Sequence, residues 1–483
     1  MRAVVVGGGL AGLAAALKLR AAGWQVTVCE NGPAMGGKMN RWEAAGYRFD
    51  TGPTLLTMPD ILRRLFASLG ERLEDHLKLR PLDPHAEYIY PDGFRIAVPA
   101  LWEQWLDKVG QIGPQHIEGI RRLHELGERI FRLSEQTFFQ GHPLHPLRLP
   151  PASAMRAFPI RHAWGNYAST VRHFVQEPRL ARIYLRYPTY VGSSPYLCPA
   201  TLLIIPYLEH AFGAWYVEGG MYRIIEALVE LARRRGVQLL PEAEVAGIEQ
   251  ESGRVRGVRL AGGARLDAAT VVFNGDSSAL APLLGSPTRV RPEERSLSGL
   301  VLLVGLKEPV PGLQHHTVAF SSNYEAEFEQ LFKARRFPDD PTVYVNAPPD
   351  PALAPPGGQA LLVMANAPGD PQASWDAPAV EEAKRRVFER LRRAGLPDLA
   401  GRAEVLDQWH PGRFARRYLA PGGAIYGQNW HGWRRAFLRP PNRVGRPRGL
   451  YCTGGSFHPG GGVPMVLLSA EMTAALVLEE ARN

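Results

Sequence analysis

The sequence predicts an α/β protein with two domains, one of them assembled from separate stretches of the chain. Two glycine clusters, RAVVVGGGLAG near the start and GGSFHPGGGVP near the end, each lead into an apolar stretch that favours a helix. A strand–helix–strand pattern opens the chain, and short strands with helices return after a middle region that lacks it. Glycine permits unusual backbone and close approach to a ligand, so we expect both clusters to serve one ligand.

The composition is that of an ordinary globular enzyme, with 483 residues, 45% apolar and 21% charged. The longest apolar runs, 300–306 and 463–468, are far shorter than the roughly 20 residues that span a bilayer. The first residues lack a secretory pattern, so we expect a cytoplasmic protein. Three widely spaced cysteines form no metal or redox motif, which fits a reducing compartment, and no metal site is predicted.

The net charge of +9 is concentrated in one stretch. Residues 141–186 contain seven arginines and four histidines against one acid, Glu177, with aromatic residues interspersed. Such a mixture seats some proteins on anionic membranes, and it is also typical of a solvated basic face. Both interpretations stay open, and no nucleic-acid partner is expected.

The first elements form a strand–helix–strand unit. A strand is predicted over 2–6, a helix over 10–22 closed by Gly23, and a second strand over 25–30. Another helix is predicted over 59–69, with Pro59 in its first turn and Gly70 behind it.

The middle of the chain reads as a different domain. Residues 75–215 show helical periodicity around Ile117 and Ile120 but no strand–helix alternation. A helix over 221–235 and short strands follow, and 289–430 mixes strands with one strong helix. We predict a nucleotide-binding domain from 1–75, 216–288 and 440–483. The predicted second domain, a substrate domain of α+β type with a helical, membrane-facing part, comprises 76–215 and 289–439.

Gly7, Gly9 and Gly12 meet the GxGxxG pattern between the first strand and the first helix. Glycines there permit a tight turn, close approach of backbone N–H groups to a pyrophosphate, and close helix packing. Glu30 ends the second strand eighteen residues beyond Gly12, where an acid accepts hydrogen bonds from a ribose hydroxyl. The combination predicts a Rossmann-type dinucleotide site.

A glycine-rich excursion after Glu30 distinguishes this domain from a simple nicotinamide domain. GGK at 36–38 and DTGP at 50–53 stand where another helix and strand would normally follow. Together with the GxGxxG motif and Glu30, they resemble the flavoprotein superfamily of amine oxidases and carotenoid desaturases. Lys38 replaces the usual arginine of that pattern, which keeps the charge but loses a planar, bidentate donor.

The end of the chain resembles a narrower group. GLYCTGGSFHPGGGVPMVLLSAEMTA is similar to the ending of bacterial-type phytoene desaturases and hydroxycarotenoid desaturases. RYPTYVGSSPYLCPATL and APGGAIYGQNWHGWRRAFLRPPNR resemble the hydroxycarotenoid 3,4-desaturase branch, so the resemblance covers nearly the whole chain. Phe457 and Ala470 depart from the common pattern.

The resemblance implies FAD as cofactor. Val245 is expected to approach the adenine, and the residues from Pro464 to Val466 to lie beside the isoalloxazine, although ordinary core packing would also explain each. The residues predicted to bind FAD are Gly7, Gly9, Leu10, Ala11, Gly12, Glu30, Gly36, Gly37, Lys38, Gly52, Pro53, Thr54, Val245, Gly455, Pro464, Met465 and Val466.

The resemblance further implies an FAD-dependent carotenoid desaturase, which introduces double bonds into phytoene or a related, 1-hydroxylated carotenoid by hydride transfer to the flavin. Such an enzyme is expected as a peripheral protein at the inner face of the cell membrane, with an apolar substrate and with quinone or oxygen as electron acceptor. No catalytic residue is nominated, because His458, in a tight turn, more often satisfies backbone groups. A carotenoid oxygenase or isomerase, an amine or protoporphyrinogen oxidase, and a prenyl-escort-like binding protein stay open as alternatives.

Overall fold

A computed structural model describes residues 1–141, 165–287 and 290–482. The helices are α1 Leu10–Ala21, α2 Pro59–Ser68, α3 Trp102–Ile112, α4 Ile117–Gln136, α5 Tyr167–Phe174, α6 Pro178–Leu185, α7 Ile204–Phe212, α8 Arg223–Arg234, α9 Ser277–Leu283, α10 Tyr324–Phe332, α11 Ala377–Arg393, α12 Leu399–Arg402, α13 Pro411–Tyr418, α14 Gly432–Phe437 and α15 Val463–Glu480. The strands are β1 Arg2–Val6, β2 Gln25–Cys29, β3 Arg41–Ala44, β4 Tyr47–Asp50, β5 Leu79–Pro81, β6 Ala86–Ile89, β7 Arg95–Val98, β8 Trp215–Val217, β9 Gln238–Leu240, β10 Val245–Glu251, β11 Arg254–Leu260, β12 Arg265–Asp267, β13 Thr270–Phe273, β14 Ser298–Leu306, β15 His316–Ala319, β16 Val343–Asn346, β17 Gln359–Ala367, β18 Ala403–Trp409 and β19 Leu450–Cys452.

The first layer is a parallel sheet in the order β19-β13-β1-β2-β9. Its central strands β1 and β13 are almost wholly apolar and buried, as expected of strands covered on both faces. Helix α1 links β1 to β2 and packs between α8 and α15, which explains why nearly all of its side chains are buried. The beginning and the end of the chain therefore meet in this layer.

A second, mixed sheet has the order β18-β14-β17-β16-β15-β6-β7. In its central strand β14 all nine residues are buried. Leu302 and Val304 pack in a core with Val387 of α11, whereas Val301 and Leu303 face the opposite side with Tyr47. The alternation of a β-strand thus gives the sheet one face covered by α11 and one face that is available to a site.

Helices α3 to α7 form a third layer, packed around a core that includes Trp105, Ile120 and Leu180. The predicted helices over 59–69 and 221–235 are confirmed to within two residues at each end. The parallel sheet takes its strands from 2–29, 238–273 and 450–452, and the mixed sheet from 86–98 and 298–409. The domain limits themselves stay a prediction.

Half of the basic stretch 141–186, residues 142–164, falls outside the described residues. Within the described part, Arg172 and Arg179 are exposed and pair with acids on neighbouring elements. Arg186 differs, because only 7% of its surface is accessible. Neither predicted interpretation of the stretch, a membrane face or a solvated face, applies to this residue.

Two further observations concern the whole of the described chain. No helix within residues 1–141, 165–287 and 290–482 has the length and apolar character needed to cross a bilayer. The three cysteines Cys29, Cys198 and Cys452 are free and buried.

Candidate active site

A cavity of about 1090 Å³ lies between the carboxyl ends of the parallel strands and the mixed sheet. This volume exceeds the usual upper range of pockets for small ligands, roughly 1,000 Å³. All but one of the residues predicted to bind FAD line it, from the glycines of the first loop to the first turn of α15. The exception is Gly12.

Gly12 lies in the first turn of α1 and is buried by the first glycine loop. A Cβ atom at this position would lie 2.2 Å from the carbonyl oxygen of Gly7, which itself has a φ of +103°. The third glycine of the motif therefore lets the helix pack against the loop, while Gly7 and Gly9 form the cavity wall.

Asn274 joins the two glycine clusters. Its Nδ2 donates to the carbonyl of Gly7 at 3.1 Å, and a Cβ atom on Gly454 would lie 2.7 Å from its Oδ1. Asn274 directly follows β13 and lines the cavity. Sequence reasoning missed this residue, although its position after a parallel strand, where ligand sites form, is a signal that could have found it.

Two helices begin at the cavity. The residues that precede α1 and α15, Gly9 and Gly462, offer no side-chain cap, and the first residues of both helices line the cavity. The first N–H groups of a helix have no partner within the helix, and its N-terminus carries a partial positive charge. Both helix ends therefore suit anionic or acceptor groups of a ligand.

Glu30 is fixed at the end of β2 with 4% of its surface accessible. Its Oε2 accepts from the N–H of Gly8 and its Oε1 from the N–H of Gly32, both at 2.9 Å. Arg417 of α13 lies 3.7 Å from Oε1 and also lines the cavity. Arg417 belongs to a segment predicted for the other domain and was not expected at this site.

Lys38 closes the wall on the side of the mixed sheet. Its Nζ donates to the carbonyl of Ile425 and lies 3.9 Å from Asp276 Oδ2. Burial lowers the pKa of Lys38, and the charge of Asp276 acts in the opposite direction. Asp276 Oδ2 is buried and accepts no hydrogen bond from the described residues. It is an acceptor that a ligand hydroxyl or N–H group would satisfy.

The space around Gly455 shows whether a planar group of a ligand can lie against this part of the cavity wall. A Cβ atom at this position would come no closer than 3.5 Å to any other protein atom, so the packing of the chain itself leaves room for a side chain. The position nevertheless keeps its backbone bare towards the cavity. With Pro464, Met465 and Val466 beside it, this surface fits the planar ring of a flavin, and Glu30 with the α1 terminus fits its ribose and pyrophosphate.

The opposite wall of the cavity is mostly apolar. Val301, Leu362 and Met364 of the mixed sheet line it together with Ile205 and Leu208 of α7. Residues 362 and 364 lie two apart on β17, as alternation requires for one face.

Polar groups also reach this wall. The hydroxyl groups of Thr54 and Tyr344 are 2.7 Å apart, which connects the residue that follows the DTGP segment to β16. His316 Nδ1 donates to the carbonyl of His85 at 3.0 Å. His458 Nε2 donates to the carbonyl of Phe138 at 2.7 Å, and this histidine is not part of the cavity wall.

Comparison with known proteins gives concordant results. The family model described as flavin containing amine oxidoreductase matches residues 10–478. A 4,4'-diapolycopene oxygenase of Methylomonas sp is 34% identical over 480 residues, 98% of this chain and 97% of that protein. A hydroxyneurosporene desaturase of Rubrivivax gelatinosus is 36% identical over 498 residues, 99% of this chain and 93% of that protein. The crystal structure of an oxidoreductase from Methanosarcina mazei shares the fold with a TM-score of 0.66 and 18% identity, over 99% of this chain and all of that one.

Proposed function

This chain belongs to the flavin-containing amine oxidoreductase family, and we propose that it is an FAD-dependent desaturase of a carotenoid. The predicted resemblance to carotenoid desaturases is confirmed by the relative from Rubrivivax gelatinosus. The observation that carries the proposal is one continuous cavity, in which residues suited to FAD adjoin a predominantly apolar wall. A polyene has few groups to grip, so such an enzyme needs an apolar channel beside its electron acceptor.

The chain's own residues have distinct tasks in this proposal. The α1 terminus and Glu30 hold the pyrophosphate and ribose, Val245 lies against the adenine, and the 464–466 segment supports the ring. Bound FAD supplies a two-electron acceptor. The apolar wall of Val301, Leu362 and Met364 orients the polyene, so that two adjacent carbons lose one hydrogen each, and it excludes water.

The helix terminus at Val463 assists in a second way. Its partial positive charge lies beside Gly455, where the flavin ring is proposed to lie. The main-chain dipoles at this terminus would stabilise negative charge on a flavin bound there, and they need no reorganisation to do so. This contribution depends on backbone, so it does not require a titratable catalytic side chain.

A peripheral membrane contact at the inner face of the cell membrane forms part of the same proposal, because the substrate is dissolved in the bilayer. Leu197 and Trp433 are 48% and 50% exposed. The N–H of Gly432 donates to the Leu197 carbonyl at 3.0 Å, so the backbone segments that carry Leu197 and Trp433 are adjacent, and the exposed Arg434 follows Trp433. An apolar pair beside a cation suits an anionic lipid surface. Quinone or oxygen is the proposed final electron acceptor.

The function is tested with the purified holoenzyme and either phytoene or a hydroxylated carotenoid in liposomes, followed by chromatography of the pigments. A product with a longer conjugated system and absorbance at longer wavelength supports desaturation. Incorporation of oxygen from labelled O₂ into the product would overturn it in favour of an oxygenase. Hydrogen peroxide formed only with amine substrates would overturn it in favour of an amine oxidase.

The membrane contact is tested by sedimentation with phosphatidylglycerol vesicles. The double variant Leu197→Asp, Trp433→Asp is expected to lose most vesicle binding while it retains FAD. Leu406→Asp is the control, since Leu406 is 38% exposed on β18, outside this patch. Equal vesicle binding by both variants would contradict the proposed contact.

A further inference from the structure

One buried cation interrupts the apolar wall of the cavity. Arg186 follows α6, is only 7% exposed and lines the cavity together with Tyr190 and Glu209. No carboxylate lies within salt-bridge distance of its guanidinium among the described residues. Glu209 is connected to the guanidinium through Tyr190, which accepts from Arg186 and donates to Glu209. A charge in such a place is costly unless hydrogen bonds compensate it.

Tyrosine side chains hold the guanidinium. Nη2 donates to the hydroxyls of Tyr88 and Tyr190, both at 2.8 Å, and Nε donates to Tyr88 at 3.2 Å. Tyr190 in turn donates to Glu209 at 3.0 Å, and Tyr187 donates to the other oxygen of that carboxylate at 2.8 Å. The rings of Tyr88, Tyr187 and Tyr190 also surround the cation, with centroids 4.8 to 5.4 Å from its central carbon. The group is therefore fixed in one orientation.

One nitrogen of the guanidinium, Nη1, is left with its two N–H donors without a partner among the described residues. Nη1 donates to no atom of the described chain, yet it is not sealed in the protein interior. Since the residue is more than nine-tenths buried and lines the cavity, the remaining surface of Nη1 faces the ligand space. A wholly hydrocarbon ligand would displace water from this charged N–H group and offer it no acceptor.

We propose that Arg186 determines substrate specificity by donating a hydrogen bond from Nη1 to an oxygen atom on the polyene. The inference rests on the proposed function and refines it, since it selects oxygenated polyenes over their hydrocarbon parents. A hydroxyl, an ether or a carbonyl oxygen can each accept this bond. A site built to bond a substrate oxygen discriminates strongly against the analogue that lacks it, because its own polar group is left unsatisfied.

The experiment compares four polyenes of the same carbon skeleton and conjugation length: the hydrocarbon and its terminal hydroxyl, methyl ether and ketone derivatives. The holoenzyme receives each in liposomes, and kcat/KM for desaturation is measured together with binding, from the change in flavin absorbance. We expect at least one oxygenated polyene to exceed the hydrocarbon by about tenfold or more in kcat/KM. The ranking of the three derivatives identifies the oxygen group.

Arg186→Met, which keeps an unbranched side chain and removes all donors, is expected to reduce this preference to less than about threefold, mainly by lowering kcat/KM for the preferred polyene. Arg182→Met is the matched control. Arg182 lies one helical turn earlier, also stacks on aromatic rings, Tyr90 and Phe320, and does not line the cavity. Arg182→Met should leave the preference for oxygenated polyenes unchanged. If Arg186→Met fails to fold, Tyr190→Phe, which removes one acceptor of the guanidinium, should shift the preference in the same direction.

Three outcomes of the polyene comparison would separate this inference from its alternatives. Equal kcat/KM and equal binding of hydrocarbon and oxygenated polyenes by the unaltered enzyme would overturn the inference and leave the desaturase function standing. A loss in Arg186→Met that is the same for all four polyenes would show that the arginine only supports the fold. If no polyene is desaturated, the proposed function fails, and the binding preference and its loss in Arg186→Met still test the recognition of oxygen.

Discussion

The two ends of the cavity are built in different ways. At the nucleotide end the wall is largely main chain, from the glycine loops and the first turns of α1 and α15, with a few fixed side chains such as Glu30 and Asp276. At the other end, called the sheet end, the wall consists of side chains from the mixed sheet and α7, with Arg186 as its buried cation. Main-chain donors bind a constant cofactor, whereas side chains can change from one relative to the next and so suit the selection of a substrate.

The two ends of the cavity also differ in how well they tolerate substitutions. A glycine with no space for a Cβ atom allows no substitution without movement of the backbone. A side chain that faces the cavity is bounded by neighbours on one side only. We therefore expect substitutions at the nucleotide end to weaken or abolish cofactor binding, and substitutions at the sheet end to change substrate kinetics while the flavin stays bound.

The largest effect is expected for Gly12→Ala. The new methyl group would lie 2.2 Å from the Gly7 carbonyl, so α1 or the loop has to move. We expect the purified variant to contain no flavin by absorbance. Gly262→Ala is the control, because a Cβ atom there meets nothing within 4 Å. Normal flavin content in the Gly12 variant would contradict the assigned packing.

A smaller effect at the sheet end is expected for Leu362→Asn. The amide would lie in the apolar wall without a partner, which costs about 1–3 kcal/mol, or roughly ten- to a hundredfold in kcat/KM for the polyene. Flavin content should stay normal. Leu362→Met keeps the volume and should behave nearly as the unaltered enzyme. A parallel loss of flavin would show that the two ends are not separable.

A third variant, Gly455→Ala, concerns a glycine at the nucleotide end that has space for a Cβ atom, in contrast to Gly12. The methyl group meets no protein atom closer than 3.5 Å, so the thermal stability of the apoprotein should not change. It would occupy space where the flavin ring is proposed to lie, and we expect about tenfold weaker FAD binding in a fluorescence titration. Lowered stability of the apoprotein would instead assign Gly455 to packing.

The smallest change expected in a measured quantity, a few degrees in Tm, concerns a carboxyl group beneath the sheet wall. Glu327 is 2% exposed and accepts from the N–H and hydroxyl groups of Thr342, a cavity residue. Burial raises the pKa of Glu327 from 4.5 to about 7, although the bonds from Thr342 act to lower it. The folded state thus holds this proton more tightly than the unfolded chain does.

The stabilisation from that proton is complete below pH 4.5 and is lost as the pH rises through 7. The difference amounts to about 3 kcal/mol, which is a few degrees in Tm for a chain of this size. Glu327→Gln, which stays neutral, should melt progressively higher than the unaltered protein between pH 5 and 8. A constant difference in Tm across that range would show that Glu327 does not titrate there.

Much of the fold and of the nucleotide end could be predicted from the sequence. Gly7, Gly9 and Glu30 lie within thirty residues, and each role follows from a strand, a turn and a helix that are consecutive in the chain. Local periodicity likewise predicted the helices Pro59–Ser68 and Arg223–Arg234 to within two residues. These features depend on short-range geometry, which the order of residue types expresses directly.

The order of the strands in the mixed sheet and the composition of the apolar wall of the cavity were decided only by the tertiary structure. β14 pairs with β17 and β18, which lie far along the chain, and no local pattern specifies such partners. Asn274 and Arg417 likewise reach the site through packing between distant segments. Arg186 shows the limit most clearly, because its neighbours in sequence indicate a basic surface. Whether a cation is solvated or buried depends on the groups that surround it, and Tyr88, which accepts its hydrogen bonds, lies 98 residues away.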